Sequence, residues 1–244
     1  MERDRINHLK QYIQQFQAGC NAYLAPLCDP RNKRVFVIGS GWGTEIYWAL
    51  SKGAKAVVGI DPAPRSTEAL DEVIQESFRK KMHYETYQGI LEEYVVDEKR
   101  KYDLILSHNV FEHIEDVLST LRVVPKILKD NGRLAIFTDP LFFSSAGSHL
   151  NIEPWEHLWG DLEAKKDTFP GYQWHGYKAL NRMTASDFIG YIKESDGMAL
   201  QFFLKPDRNL NKFQHYRERI AKKCDASILD LTTEGISVEI AWNL

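Results

Sequence analysis

The chain has 244 residues, 43% of them hydrophobic and 27% charged, the balance of a globular protein with a core to bury and well away from the disordered range. The net charge is −3 and the pI about 6.3, with no basic stripe of the kind that grips a phosphate backbone, so a nucleic-acid partner is not expected. No apolar run approaches the roughly 20 residues needed to cross a bilayer, and three cysteines (Cys20, Cys28, Cys224) without a CxxC suit free thiols in a reducing compartment; a cytoplasmic protein without a membrane partner is expected.

Ile6, Leu9, Ile13 and Phe16 have helical spacing and predict an amphipathic helix over about 5–18, followed by a loop marked by Pro26 and Asp29-Pro30. Strands and helices then alternate. Val35–Ile38 reads as a strand, Thr44–Ser51 as a helix ended by Gly53, and Ala56–Ile60 as the second strand. Beyond Pro62 and Pro64, residues 66–80 form a helix with Leu70, Val73, Ile74 and Phe78 on one face. His83–Tyr87 and Leu104–Leu106 supply strands three and four. Residues 114–129 form a helix closed by Asn131-Gly132, a C-cap pair, and Leu134–Phe137 is the fifth strand. Such alternation predicts a parallel sheet with helices on both faces. After a stretch without a clean period (140–183), a helix over Ala185–Glu194 capped by Thr184 or Ser186, strands over Leu200–Leu204 and Ile236–Trp242, and a helix around 209–222 complete the chain. The fold class is α/β: a Rossmann-like, seven-stranded, mostly parallel sheet with an antiparallel C-terminal end. We expect one domain over 1–244, an N-terminal helical cap over 1–30, and a substrate-side insertion over 141–183.

The first strand runs into Gly39-Ser40-Gly41-Trp42-Gly43. Glycines allow a sharp turn and let a ligand lie against bare amides beside a helix N-terminus. Asp61 ends the second strand about 20 residues on, where a carboxylate accepts hydrogen bonds from both ribose hydroxyls of an adenosine ligand. A dinucleotide fingerprint reads GxGxxG or GxGxxA. Here its last small residue is replaced by Thr44 and the third glycine falls one position early, which turns the expectation from a nicotinamide cofactor to S-adenosylmethionine. No Tyr-x-x-x-Lys is present to support hydride transfer; Tyr87 and Tyr94 are followed four residues on by Leu91 and Glu98.

Gly39–Gly43, Gly59-Ile60-Asp61, the run YDLILSHNVFEHI from Tyr102, and LKDNGRL from Leu128 come in order and spacing. Over about 33–140 the chain resembles class I S-adenosylmethionine-dependent methyltransferases, particularly the group around the ubiquinone-biosynthesis enzymes. The resemblance implies S-adenosyl-L-methionine as cofactor. It also implies cofactor contacts at Gly39, Ser40, Gly41, Gly43, Asp61 and Pro62, at Gln88, Gly89, Ile90 and Leu91 around the adenine, and at His108, Asn109 and His113 toward the methionine end. Two positions depart from the family pattern. Val37 stands where an acidic residue usually faces the methionine ammonium, and Ile90 where an aspartate usually meets the adenine amino group. These departures support the alternative of a non-catalytic, methyltransferase-fold scaffold or partner subunit. Glu112-His113 opens a helix in this reading, the carboxylate favouring the positive helix end.

Residues 141–177 hold eight of the 29 aromatics and three of the eight histidines, about twice an even share of the aromatics. Ligands of open α/β sheets bind beyond the carboxyl ends of the strands, and this segment leaves the fifth strand there. Trp155, Trp159, Trp174 and His175 are therefore the expected substrate residues, and His149 or His157 the expected base. With the later LNRMTASDF, the segment loosely resembles sugar- and glycan-modifying methyltransferases, which implies O-methylation of a small-molecule or carbohydrate acceptor. His149, Glu153 and His157 would share a helical face, but Pro154 interrupts it, and no metal is expected. A homodimer is compatible with the sequence. Should the aromatic segment prove structural, the acceptor pocket falls between the N-terminal helix and the loop carrying His108 and Asn109.

Overall fold

Strand β1 (Arg34–Ile38) is apolar on both faces, so it can only lie inside a sheet covered on both sides. Its alternate side chains part accordingly: Val35 and Val37 enter one core, Phe36 and Ile38 another. The computed structural model, which describes residues 2–63 and 67–243, shows the same division along β2 (Ala56–Asp61), β4 (Tyr102–His108) and β5 (Leu128–Thr138). With β3 (Tyr84–Gln88), β6 (Gly197–Pro206) and β7 (Thr233–Trp242) they form a seven-stranded sheet of order β3-β2-β1-β4-β5-β7-β6. β7 runs antiparallel to both of its neighbours, and the other pairings are parallel. The order reverses beside β1, which opens a crevice between the carboxyl ends of β1 and β4, where open α/β sheets take their ligands.

One face is covered by α1 (Glu2–Gly19), α2 (Thr44–Ser51) and α3 (Thr67–Phe78), through Leu9, Ile13, Trp48, Leu70 and Ile74. On the other lie α4 (Leu91–Asp97), α5 (Val117–Val123) and, beyond the short α6 (Glu156–Trp159) and α7 (Gly171–Lys178), α8 (Ala185–Glu194). A third cluster joins Trp155 to α9 (Phe213–Ala221) and α10 (Ile228–Thr232). Among the described residues no helix is long and apolar enough to cross a membrane.

The expected seven strands, their mixed direction and most of the helices are present. The N-terminal helix continues from Gly19 into a π-helical turn over Cys20–Leu24. Pro64 and Ser66, expected in the turn and at the start of the following helix, lie outside the described residues. The helix expected over 114–129 is a correction: it stops at Val123, passes into a 3₁₀ turn containing Pro125, and gives way to β5 at Leu128. Proline has no N–H for an α-helical ladder, and Leu128 pairs with Tyr102. Asn131-Gly132 therefore caps no helix. It lies in a bulge of β5, between the pairs Tyr102–Leu128 and Leu104–Arg133.

Helix α8 shows how local chemistry sets an end. The Thr184 side chain accepts from the Asp187 N–H at 2.9 Å while the Asp187 carboxylate accepts from the Thr184 N–H at 2.9 Å, and Phe188 and Ile192, one turn apart, are buried. Thr184→Ala removes one bond and the anchor of the other. A loss of about 1 kcal/mol is expected, read as a lower urea midpoint with an unchanged slope.

Candidate functional site

A cleft of about 960 Å³ opens at the carboxyl ends of β1, β2 and β4. Its floor is the glycine turn. Gly39, Gly41 and Gly43 have φ of 73°, 40° and 82°, left-handed values that strain any residue with a Cβ. At Gly39 a Cβ would stand 2.2 Å from Val110, and at Gly43 2.4 Å from Leu70, so both positions are closed by sterics as well. The amides of Gly39 and Ser40 are tied to the Ile60 carbonyl at 2.8 and 2.9 Å, while Gly43 precedes the first residue of α2 without a side-chain cap.

Asp61, at the end of β2, holds this turn. Its Oδ2 accepts from the Gly41 N–H at 2.9 Å and its Oδ1 from the Ala63 N–H at 2.8 Å. Each oxygen keeps a second lone pair for a ligand hydroxyl. Gly39, Ser40, Gly41, Asp61 and Pro62 line the cleft, with Gly89, Ile90 and Leu91 beyond them on the β3 side. Gly43 and Gln88 do not line it. Gly43 packs beneath the turn, and the Gln88 amide donates to the Pro62 carbonyl at 3.2 Å, bridging the ends of β3 and β2.

His108, Asn109 and His113, from the β4 end and its loop, form the opposite wall. Asn109 is left-handed (φ 55°), its N–H donates to the Phe137 carbonyl at 2.8 Å, and its Oδ1 is buried without a hydrogen-bond partner among the described residues. A buried orphan acceptor is costly unless a ligand completes it, so Asn109 fits a ligand carrying a donor. His108 Nδ1 lies 2.9 Å from Glu45 Oε1 and 3.8 Å from Cys20 Sγ. Burial pushes the Cys20 thiol well above its usual range, so it packs there as a neutral group.

Sequence reasoning missed Glu45, Tyr12, Phe16 and Trp42, all of which line the cleft. Tyr12 and Phe16 sit one turn apart on α1 with ring centroids 4.3 Å apart, and Tyr12 lies 5.9 Å from Trp42. The signal was available in the i, i+4 spacing of Tyr12 and Phe16, which widens the apolar stripe of Leu9 and Ile13 on one side.

The expected substrate residues lie elsewhere, and the physical reason is packing. Trp155 is fully buried, 5.6 and 5.9 Å from the rings of Phe213 and Tyr216, and its Nε1 donates to the Leu231 carbonyl at 3.0 Å. Trp159 stacks on Tyr216 under the Arg219 guanidinium. Trp174 stacks on Phe169, and His175 is exposed on α7 with Nδ1 2.9 Å from the Gly171 carbonyl. None of the four lines the cleft. His157 is also removed from it: its ring is buried against Phe142, Nε2 donates to the Phe142 carbonyl at 2.6 Å, and burial holds its pKa down to about 4. His149 stands 5.3 Å from the His113 ring, one ring behind the cleft wall, and burial depresses its pKa too. Glu112 opens no helix. It is buried beneath this wall, accepts from the Thr138 hydroxyl, and burial pushes its carboxyl up to about 8.

Residues 36–134 match a family model described as a methyltransferase domain, the span that holds the glycine turn, Asp61 and the β4 loop. Solved structures of the same fold include an S-adenosylmethionine-dependent methyltransferase from Mesorhizobium loti (16% identity, 90% of this chain and 95% of that one, TM-score 0.56). A magnesium protoporphyrin IX methyltransferase from Synechocystis with bound S-adenosylhomocysteine is similar (14% identity, 98% and 84%, TM-score 0.54). So is a geranyl diphosphate C-methyltransferase from Streptomyces coelicolor (10% identity, 91% and 78%, TM-score 0.56). No curated protein matches the sequence. A region matching a methyltransferase domain thus spans the site, and the fold around it is the one seen in S-adenosylmethionine-dependent methyltransferases.

Proposed function

We propose that this chain is a cytoplasmic enzyme that methylates an oxygen of a small-molecule or carbohydrate acceptor. The supporting observation is the cleft: a glycine turn tied to Asp61, with the aromatic rings of Trp42 from that turn and of Tyr12 and Phe16 from α1 in its lining. We read it as one methyltransferase domain, with residues 1–30 as a cap that closes the acceptor side and 141–183 as an insertion packed against α9 and α10.

In this reading Asp61 accepts the ribose hydroxyls, and the methionine moiety lies against the bare backbone of the Gly39–Gly43 turn. Ile90 and Leu91 flank the adenine. Asn109 Oδ1 accepts from the ammonium, and Glu45 supplies there the negative charge that Val37 does not. Bound S-adenosylmethionine supplies an electrophilic sulfonium methyl. The chain holds the acceptor in line and keeps water out, and an oxygen acceptor of high pKa also needs its proton removed. His113, at the cleft, with His149 behind it, is better placed for that than His157; burial lowers the pKa of each, and the nearby His149 lowers that of His113 further.

S-adenosylmethionine and S-adenosylhomocysteine should each raise the melting temperature, and NAD and NADP should not. A ligand that binds only the native state at a hundred times its Kd stabilises by about 2.7 kcal/mol, roughly 5–10 °C for a chain of this size. Stabilisation by NAD alone would sink the reading. No response to any of the four ligands would leave a scaffold with the methyltransferase fold.

A further inference from the structure

Three potential ligand groups converge at the edge of the cleft. A carboxylate oxygen of Glu112 and ring nitrogens of His113 and His149 all lie within 4.8 Å of one another. They come from the β4–α5 loop and from the segment after β5, so the sheet's topology and not one helix brings them together. We propose that Glu112, His113 and His149 form a binding site for a divalent transition-metal ion, open on its cleft side to an oxygen of the methyl acceptor.

The state of Glu112 is the independent observation. The residue is 2% exposed; one oxygen accepts from the Thr138 hydroxyl, while Oε1 is buried with no hydrogen-bond partner among the described residues. A buried carboxylate with an orphan oxygen is a large unmet polar demand, and a cation beside the two imidazoles meets it. Each ligand is also held as metal ligands are held. Thr138 orients Glu112. The Pro140 carbonyl, 3.3 Å from His149 Nε2, can only accept, so Nε2 carries the proton and Nδ1 keeps its lone pair. A ligating histidine commonly donates its other N–H to a backbone carbonyl in this way. Ring contact with His149 at 5.3 Å fixes His113 in turn, and His113 lines the cleft.

Two imidazoles and one carboxylate suit Zn(II), Co(II), Mn(II) or Fe(II) better than Mg(II) or Ca(II), which prefer all-oxygen sites. Three protein ligands leave a position for an exogenous oxygen. Resting on the methyltransferase reading, that oxygen is the acceptor's. Its O–H becomes more acidic on the metal and gives its proton to water, which takes over the proton removal otherwise assigned to His113, now a ligand; the oxygen then takes the methyl carbon as the carbon–sulfur bond breaks, leaving S-adenosylhomocysteine.

The test is calorimetric titration of tag-free, metal-stripped protein with Zn(II) and Mn(II) alone, with Co(II) absorption as a second readout, without cofactor or acceptor. One ion should bind per chain. His149→Ala and Glu112→Gln should each weaken binding by more than the roughly 10–100-fold typical of losing an outer partner. His175→Ala, on exposed α7, should not. Glu112→Gln keeps an acceptor for Thr138, so folding is checked by its melting curve, and His149, which belongs to none of the apolar cores, gives a second variant less subject to that risk. Absence of binding to the parent overturns the proposal. So does binding that survives both variants and is lost in Cys20→Ser, which would put the ion on the buried Cys20–Glu45–His108 group. The cofactor melt is a separate measurement, so failure of the metal site and failure of the methyltransferase reading are distinguishable.

Discussion

Trp155→Ala is expected to lower stability by about 3–5 kcal/mol, the range for emptying a core aromatic position, while affinity for S-adenosylmethionine stays essentially unchanged. The indole has no exposed surface and anchors the cluster formed with Phe213, Tyr216, Ile220 and Leu231. Its truncation would open a cavity between the 141–183 segment and α9 and would leave the Leu231 carbonyl without the Nε1 donor. Urea denaturation reads the first quantity and calorimetric titration of the cofactor the second. A variant that kept its stability and lost turnover would return Trp155 to the acceptor pocket, where its place in an aromatic-rich segment first suggested it. His157→Ala should behave in the same direction, since the ring packs on Phe142 and holds a backbone carbonyl.

The parts of the molecule that could be read in advance are those whose signal is local. Val35–Ile38 is apolar at every position because both faces of β1 are covered. The glycines of 39–43 are dictated by left-handed φ and by the nearness of Val110 and Leu70. The Thr184–Asp187 cap is written in four consecutive residues. What could not be read depends on distant packing. The 141–177 segment carries enough aromatic surface for a binding site or for a satellite core, and its composition is the same in both cases; only the arrival of α9 and α10 decides it. Helix α1 poses the converse problem. Leu9, Ile13 and Phe16 share the apolar stripe that predicts burial, yet Phe16, with Tyr12, lines the cleft because α1 docks across the end of β4, with Gly19 close enough to His108 that a Cβ would lie 3.2 Å from its ring. Glu112 looked like an ordinary charge at a helix start, and its burial under the cleft wall follows from the turn over residues 111–113 that precedes α5.

Asp61→Ala is expected to weaken binding of S-adenosylmethionine by about 1.5–3 kcal/mol, the scale of hydrogen bonds to a charged group, or roughly 10- to 150-fold in Kd. Two losses combine in that figure. The ribose hydroxyls lose their acceptor, and the Gly41 amide loses the carboxylate that fixes the glycine turn in its binding shape. Asp61→Asn separates them. Its single side-chain oxygen can still accept from Gly41, so the glycine turn should keep its form while the charge and the bond from the Ala63 amide are lost, and its affinity should fall between those of the parent and the alanine variant. Melting curves without ligand should move little for either variant, because Asp61 sits at the half-exposed end of β2 and takes no part in the apolar cores. Equal affinity of Asp61→Ala and the parent would mean that the carboxylate serves only the Gly41 and Ala63 amides, and the ribose would have to be sought farther along the wall, toward Gly89 and Ile90.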